Sequence, residues 1–197
     1  MTQADALSIL TTGANVFLTG EPGSGKTHTV NAYIAWLRAR GIEPAITAST
    51  GIAATHINGM TIHSWSGIGI TERLSAELLE RVSEKEHVVK RLQKTAVLII
   101  DEVSMLSDHV LTMVDAVTKE VRHDERPFGG LQVVLVGDFF QLPPIAKAGR
   151  EASFAFHSPA WQALNPFICY LTEQHRQEDK KFLELLGAIR NGTVDHT

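Results

Sequence analysis

The segment Gly20-Glu21-Pro22-Gly23-Ser24-Gly25-Lys26-Thr27 constrains this chain more than any other, because it fits the spacing Gly-x-x-x-x-Gly-Lys-Thr and has the right flanks. The apolar run Val16-Phe17-Leu18 precedes it and a helix-like stretch follows it, which is the strand, turn and helix context that the pattern needs. Glycines at these positions let the backbone curl until successive N–H groups converge on one point, and the opening of the next helix adds positive potential there. A loop of this kind holds a phosphate group. Lys26 is long enough to reach the β- and γ-phosphates of a nucleoside triphosphate, and the Thr27 hydroxyl suits Mg²⁺. The expected contacts are therefore Gly23, Ser24, Gly25, Lys26 and Thr27, with ATP and Mg²⁺ as cofactors.

A strand that feeds such a loop needs neighbours. Short runs at 16–19, 45–48, 97–100, 133–136 and 167–171 are apolar on both faces or nearly so, as strands of a parallel sheet covered by helices are. Between them lie helix-length segments at 2–10, 26–40, 72–94 with a break near Ser83, 107–122 and 179–190, and loops are expected at 124–130 and 147–153. The order is α/β, a P-loop NTPase with helices flanking a parallel sheet. With 197 residues, 44% of them hydrophobic, the chain fits one domain, and 72–94 is the best candidate for a small insert.

Composition excludes several classes. No run approaches the roughly 18 apolar residues of a membrane span, and the first residues lack a basic stretch followed by an apolar one, so a protein that is neither exported nor membrane-bound is expected. The single cysteine, Cys169, sits in an apolar run and reads as a small core residue in a reducing compartment. A formal charge of −4 is not the footprint of a protein that binds nucleic acid by charge alone. Residues 44–71, however, contain no acid and are rich in Thr, Ser, Gly, His and Asn, neutral donors able to follow a phosphate backbone.

Two more strands end in chemistry. Val97-Leu98-Ile99-Ile100-Asp101-Glu102 places two carboxylates at the carboxyl end of a strand, where ligands of open α/β sheets bind. Asp101 is expected to hold Mg²⁺ through water and Glu102 to activate the water that attacks the γ-phosphate. Val133 to Val136 runs into Gly137-Asp138-Phe139-Phe140-Gln141-Leu142-Pro143-Pro144, where Gln141 is placed to sense the γ-phosphate. Phe139 and Phe140 admit two readings, core aromatics or a platform on which a base stacks. Past the last strand, Arg176 reads either as a surface ion pair or as a cation that stabilises charge on the transferred phosphoryl group. None of the nine histidines has a second His or Cys at zinc-ligand spacing, so Mg²⁺ is the only metal inferred.

In this order, the blocks resemble the Pif (petite integration frequency) family of DNA helicases, relatives of RecD in helicase superfamily one. The resemblance rests on Gln3, Asn15-Val16-Phe17-Leu18-Thr19-Gly20, Ser49-Thr50-Gly51-Ile52-Ala53-Ala54, Gly59-Met60-Thr61-Ile62-His63-Ser64-Trp65 and Ile100-Asp101-Glu102-Val103-Ser104-Met105. It continues through Pro127-Phe128-Gly129-Gly130-Leu131-Gln132, the Gly137 to Pro144 block and Leu171-Thr172-Glu173-Gln174-His175-Arg176-Gln177. It implies a RecA-like motor domain over residues 1–197, with a small wedge subdomain at 66–94 and a second RecA-like domain beyond Asp195-His196-Thr197. Gln3 then looks like the family's adenine-reading glutamine, Thr50, Gly51, His63 and Ser64 like its single-strand contacts, and Arg176 like its γ-phosphate arginine. Phe139 or Phe140 would couple DNA contact to Gln141.

The activity so implied is ATP hydrolysis that drives 5′-to-3′ movement on single-stranded DNA and unwinding of forked or structured DNA, in repair, recombination or replication. The implied protein acts as a monomer, cytoplasmic and nucleoid-associated in a bacterium, nuclear or mitochondrial in a eukaryote. The first 197 residues alone are expected to turn over ATP weakly. Two other readings compete: an AAA-type ATPase that remodels a protein partner, favoured if turnover ignores single-stranded DNA, and a nucleotide-gated single-strand-binding module without useful turnover.

Overall fold

The structure, a computed structural model, describes residues 1–71, 73–144 and 153–173. In chain order these form α1 (Gln3–Leu10), β1 (Val16–Gly20), α2 (Lys26–Arg38), β2 (Ala45–Ala48), α3 (Gly51–His56), β3 (Met60–Thr61), α4 (Ile62–Ser66), α5 (Ala76–Ser83) and α6 (Glu86–Lys94). They continue with β4 (Val97–Asp101), α7 (Asp108–Arg122), β5 (Gln132–Val136), α8 (Pro159–Leu164) and β6 (Phe167–Leu171). All described strand pairs are parallel, in the order β3-β2-β4-β5-β1-β6. Every loop at a strand's carboxyl end therefore opens on one edge of the sheet. The five apolar runs are the strands expected of them, and each of β1, β4 and β5 is buried on both faces.

Helices cover both faces. On one side Ala6 and Leu10 of α1 and Val30, Tyr33, Ile34 and Leu37 of α2 pack against Val16, Leu18, Ile99 and Val134. On the other, α4 to α8 close over Phe17, Leu98, Ile100, Val133 and Leu135. The segment read as one broken helix divides into α5 and α6 at Glu84 and Lys85, as the expected break near Ser83 anticipated. It starts later than expected, at Ala76, because Ser75 caps it and accepts from the Leu78 N–H. Leu78, Val82, Val88 and Leu92 from these two helices lie in the same core as the sheet. Cys169 is fully buried, as expected, and burial raises its thiol pKa. The helix expected at 179–190 and most of the loop expected at 147–153 lie outside the described residues.

Several residues of the resemblance turn out to hold the fold rather than a ligand. The Gln132 amide donates to the Leu10 and Ala14 carbonyls at 3.0 and 2.8 Å and accepts from the Tyr33 hydroxyl at 2.7 Å. Asn15 Oδ1 accepts from the Val133 N–H. Pro127–Gly130 is a tight turn tucked onto α7, where Phe128 is fully buried and both it and Gly129 have positive φ. A β-carbon on Gly129 would lie 2.7 Å from the Thr118 carbonyl, so only glycine permits that approach. Asp115, 7% exposed, anchors the turn by accepting from the Phe128 N–H and from Lys119, both at 2.7 Å. Asp115→Ala strands the buried Phe128 N–H and is expected to lower stability by about 1–3 kcal/mol in urea unfolding. Nucleotide affinity should not change, because the turn lies at the opposite end of β5 from Gly137.

Candidate functional site

The phosphate loop leaves the buried strand β1 and enters α2 at Gly25, which caps the helix with φ +89° and offers no side-chain acceptor. Of the eight α-helices among the described residues, six carry a Ser or Thr cap (Thr2, Thr50, Thr61, Ser75, Ser107, Ser158), while α2 and α6 have none. The first N–H groups of α2 are thus left for an anion. Close packing shapes the turn as well: a β-carbon on Gly20 would lie 2.7 Å from both the Leu171 carbonyl and Ser24 Oγ. Ser24 is buried and its Oγ has no hydrogen-bond partner, a polar atom inside the loop that a phosphate oxygen would satisfy. Lys26 Nζ donates to the Gly20 and Glu21 carbonyls at 2.8 and 3.2 Å, which holds the ammonium over the loop. Thr27 is exposed on the first turn of α2.

The acid pair sits two strands away, with β5 between. Asp101 closes β4 and accepts from the Glu102 N–H at 2.9 Å. Burial raises its pKa, and that bond and the Lys26 charge oppose the rise. Glu102 has left-handed backbone, φ 52° and ψ 44°, a conformation that non-glycine residues seldom adopt and that turns its side chain away from the line of the strand. Burial raises its pKa first, then the negative charges of Asp101 and Asp138, against the pull of Lys26. A carboxylate whose proton affinity is raised in this way is a better general base. The same couplings show that Lys26, Asp101, Glu102 and Asp138 share one electrostatic neighbourhood.

Asp138 is the residue that sequence reading passed over. It is 1% exposed at the carboxyl end of β5, and its Oδ1 accepts from the Phe140 N–H at 3.1 Å. The rule that singled out Asp101, a carboxylate closing an apolar strand, applies to it equally. Gly137 lets this end of β5 press against the backbone after Glu102, since a β-carbon there would lie 3.1 Å from the Val103 nitrogen. The following turn separates the two phenylalanines. Phe139 packs into an aromatic cluster, with ring centroids 5.3 Å from Phe17, 5.6 Å from Phe154, 4.8 Å from Phe156 and 5.8 Å from Trp161. Phe140 points outward and is 72% exposed, beside exposed Gln141 and Leu142. Of the two readings open for these rings, Phe139 takes the core one, and Phe140 is the exposed ring of the pair.

The acid-free stretch forms the carboxyl ends of β2 and β3. Thr50 caps α3 and its hydroxyl accepts from the Ala53 N–H, Gly51 is exposed, and Ile52 beside them is 78% exposed. His63 is half-buried on α4, and burial lowers its pKa, so the imidazole favours its neutral form. Ser64 is exposed; its carbonyl accepts from Arg91, and its N–H is held by Thr61. Along one sheet edge the expected groups therefore run from His63 and Ser64 through Thr50 and Gly51, the acid pair, and Phe140 and Gln141 to the phosphate loop.

Gln3 lies beyond that loop. Its Nε2 donates to the Ser24 carbonyl at 3.3 Å, and a β-carbon on Gly25 would collide with its carboxamide. Glycine at 25 thus serves both the loop's curl and the seat of Gln3. The amide opens on a cleft of about 530 Å³ between α1 and α2, lined by Thr2, Gln3, Ala4, Leu7, His28, Thr29, Ala32 and Glu173. Glu173 and His28 were not singled out from sequence. Arg176 lies outside the described residues.

The donor set fits the expected cofactors. Uncapped N–H groups, an unpartnered hydroxyl and an ammonium suit a phosphate chain, and a hydroxyl with a carboxylate suits a hard divalent cation. Among the described residues no group of three His, Cys, Asp or Glu could hold a metal, so a cation here would share Thr27 and Asp101 with phosphate oxygens. No helix among them is long and apolar enough to cross a membrane.

The family model of PIF1-like helicases matches residues 3–197. An ATP-dependent DNA helicase Pif1 of Psychrobacter sp. is 58% identical over 180 residues, covering 90% of this chain and 27% of that protein. The crystal structure of Pif1 helicase from Candida albicans superposes with a TM-score of 0.91 at 38% identity, over 98% of this chain and 44% of that one. Pif1 helicase from Bacteroides, in complex with ADP-AlF3 and single-stranded DNA, gives 0.82 at 32% identity, over 99% of this chain and 48% of that one. The chain thus spans less than half of each of these relatives.

Proposed function

Because the chain belongs to the PIF1-like helicase family, we propose that it forms the nucleotide-binding half of an ATP-driven DNA helicase motor. The reading is carried by the order of groups along one sheet edge, with the phosphate loop and acid pair at one side and the single-strand candidates at the other. The Bacteroides relative, held with both ADP-AlF3 and single-stranded DNA, supports it. In this reading Gly23, Ser24, Gly25 and Lys26 bind the phosphates, and Gln3 reads the base. Bound Mg²⁺, held by Thr27 and Asp101, would neutralise phosphate charge. Glu102 accepts the proton of the attacking water, and Gln141 and Arg176 contact the γ-phosphate. Movement runs 5′ to 3′ and requires a second RecA-like domain to close the cleft, which is why this domain alone turns over ATP slowly. Residues 66–94 serve as the wedge.

Phe140 is the base-stacking residue, and Phe139 holds its turn from below. Phe140→Ala should weaken single-stranded DNA binding about 5- to 150-fold, the equivalent of about 1–3 kcal/mol of stacking, with unchanged unfolding. Phe139→Ala should instead lower stability by about 3 kcal/mol. Fluorescence anisotropy with labelled single strands and urea unfolding of both variants check this. ATP turnover that is indifferent to single-stranded DNA, in this chain and in one extended through the following domain, would favour a protein-remodelling ATPase instead.

A further inference from the structure

Two of the expected single-strand groups, His63 and Ser64, sit on α4, a helix of five residues. A helix so short does not hold itself, because one turn of hydrogen bonds does not repay the ordering of its backbone. Neighbours must fix it. At its N-terminus the Thr61 hydroxyl accepts from the Ser64 N–H at 3.1 Å, and Ile62 and Trp65 are buried in the core. At its C-terminus the last carbonyls have no further turn to bond, and a cation is a suitable donor there. The Arg91 guanidinium, reaching over from α6, donates through Nη2 to the Ser64 carbonyl at 2.8 Å and through Nε and Nη2 to the Trp65 carbonyl at 3.0 and 2.7 Å. Gly67 closes the same end with φ +79°, and a β-carbon on it would lie 2.9 Å from Val88 Cγ1, so the turn that ends α4 is pressed against α6. That helix is itself anchored. Arg122 of α7 donates to the Leu92 and Thr95 carbonyls at its C-terminal end, both at 2.8 Å, and Val88 and Leu92 lie in the core. Arg91 therefore ties a short helix to a fixed one.

We infer that Arg91 is a positioning residue for single-strand binding: its fork clamps the Ser64 and Trp65 carbonyls and so sets where the His63 and Ser64 side chains stand, acting through α4 rather than on a phosphate. A guanidinium suits this task because its donors lie in one plane in fixed directions, so that neighbouring donors span two successive carbonyls. A lysine ammonium in the same place keeps the charge and loses the fork. The segment 66–94, read as a wedge, thereby takes on a second task, since its helix α6 carries the arginine that orders the strand contact. The inference rests on the reading of α4 as part of the single-strand surface.

Fluorescence anisotropy of the 197-residue chain with labelled single strands, over a range of salt, tests it in Arg91→Met, Arg91→Lys and His63→Ala, with ATP titration and urea unfolding alongside. Arg91→Met should weaken single-strand binding about 3- to 30-fold, and Arg91→Lys at least about threefold although its charge is kept. ATP affinity should stay within about twofold in both, because β4 and β5 stand between this end of the sheet and the phosphate loop. An arginine that served stability alone would lower the unfolding midpoint and leave the DNA affinity of the folded chain unchanged, which overturns the inference. So does a salt slope that becomes shallower by about 0.7 in Arg91→Met, as the loss of one phosphate contact on a single strand would make it. In either case, weaker binding by His63→Ala leaves the reading of α4 standing. Should Arg91→Met not fold, Arg91→Lys decides by itself, and full affinity there overturns the inference. Single strands that bind the unaltered chain, Arg91→Met and His63→Ala equally well, or that bind none of them, overturn both the inference and the reading of α4.

Discussion

Replacing Glu102 with glutamine is expected to lower single-strand-stimulated ATP turnover about 10²–10⁴-fold, the range that a positioned general base contributes. The change keeps the shape of the side chain and removes only its ability to take a proton. Nucleotide affinity should stay within about threefold, because Glu102 acts on the water rather than on the bound phosphates. Stability should hold or rise slightly. The carboxylate stands half-buried beside Asp101 and Asp138, both of which disfavour its charge, and a neutral amide relieves that repulsion. Phosphate release by a chain that includes the second domain, measured with and without single-stranded DNA beside titrations of ATP, separates these effects. Turnover that survives the substitution would sink the general-base assignment and leave room for a binding module gated by nucleotide.

Much of this site could be read from the residues, and the reasons for success and failure are physical. Apolar runs such as Val97 to Ile100 announce buried parallel strands because both faces must be apolar, and a carboxylate closing such a run stands out against it. Two-residue β3 leaves no run to see. Helices α3 and α4, of six and five residues, are too short to show a period, although their Thr50 and Thr61 caps are visible as residue types. The choice between Phe139 and Phe140 depended on Phe154, Phe156 and Trp161, which arrive from a later segment and build the pocket that Phe139 fills. The seat of Gln3 on Gly25 is likewise a contact between α1 and the phosphate loop, and spacing along the chain does not encode it. Asn15 and Gln132 marked the family, yet their partners are the Val133 N–H, two carbonyls and Tyr33, so their place in the pattern reflects how strand ends are tied.

Lys26→Ala should abolish nucleotide-dependent behaviour altogether. A charge-assisted hydrogen bond contributes about 1.5–3 kcal/mol, and an ammonium that bridges two phosphates makes more than one, so ATP affinity should fall by about 10²-fold or more. A second loss adds to the first. The Lys26 charge draws down the proton affinity of both Asp101 and Glu102, so its removal lets burial push both acids further up. The fold itself should tolerate the change, since the Gly20 and Glu21 carbonyls that accept from Lys26 belong to a turn whose shape is already set by glycine and by the packing of Leu171. Unfolding curves within about 1 kcal/mol of the unaltered chain are expected. Single-strand affinity without nucleotide should also persist, because Thr50, Gly51, His63 and Ser64 follow β2 and β3, with β4 and β5 between them and the loop. Titration of ATP and of single-stranded DNA into the same variant reads both outcomes. Tight ATP binding that outlives the ammonium would contradict the phosphate cradle itself, whereas loss of both ligands together would mean that loop and strand contacts are not the separable parts that the strand order makes them.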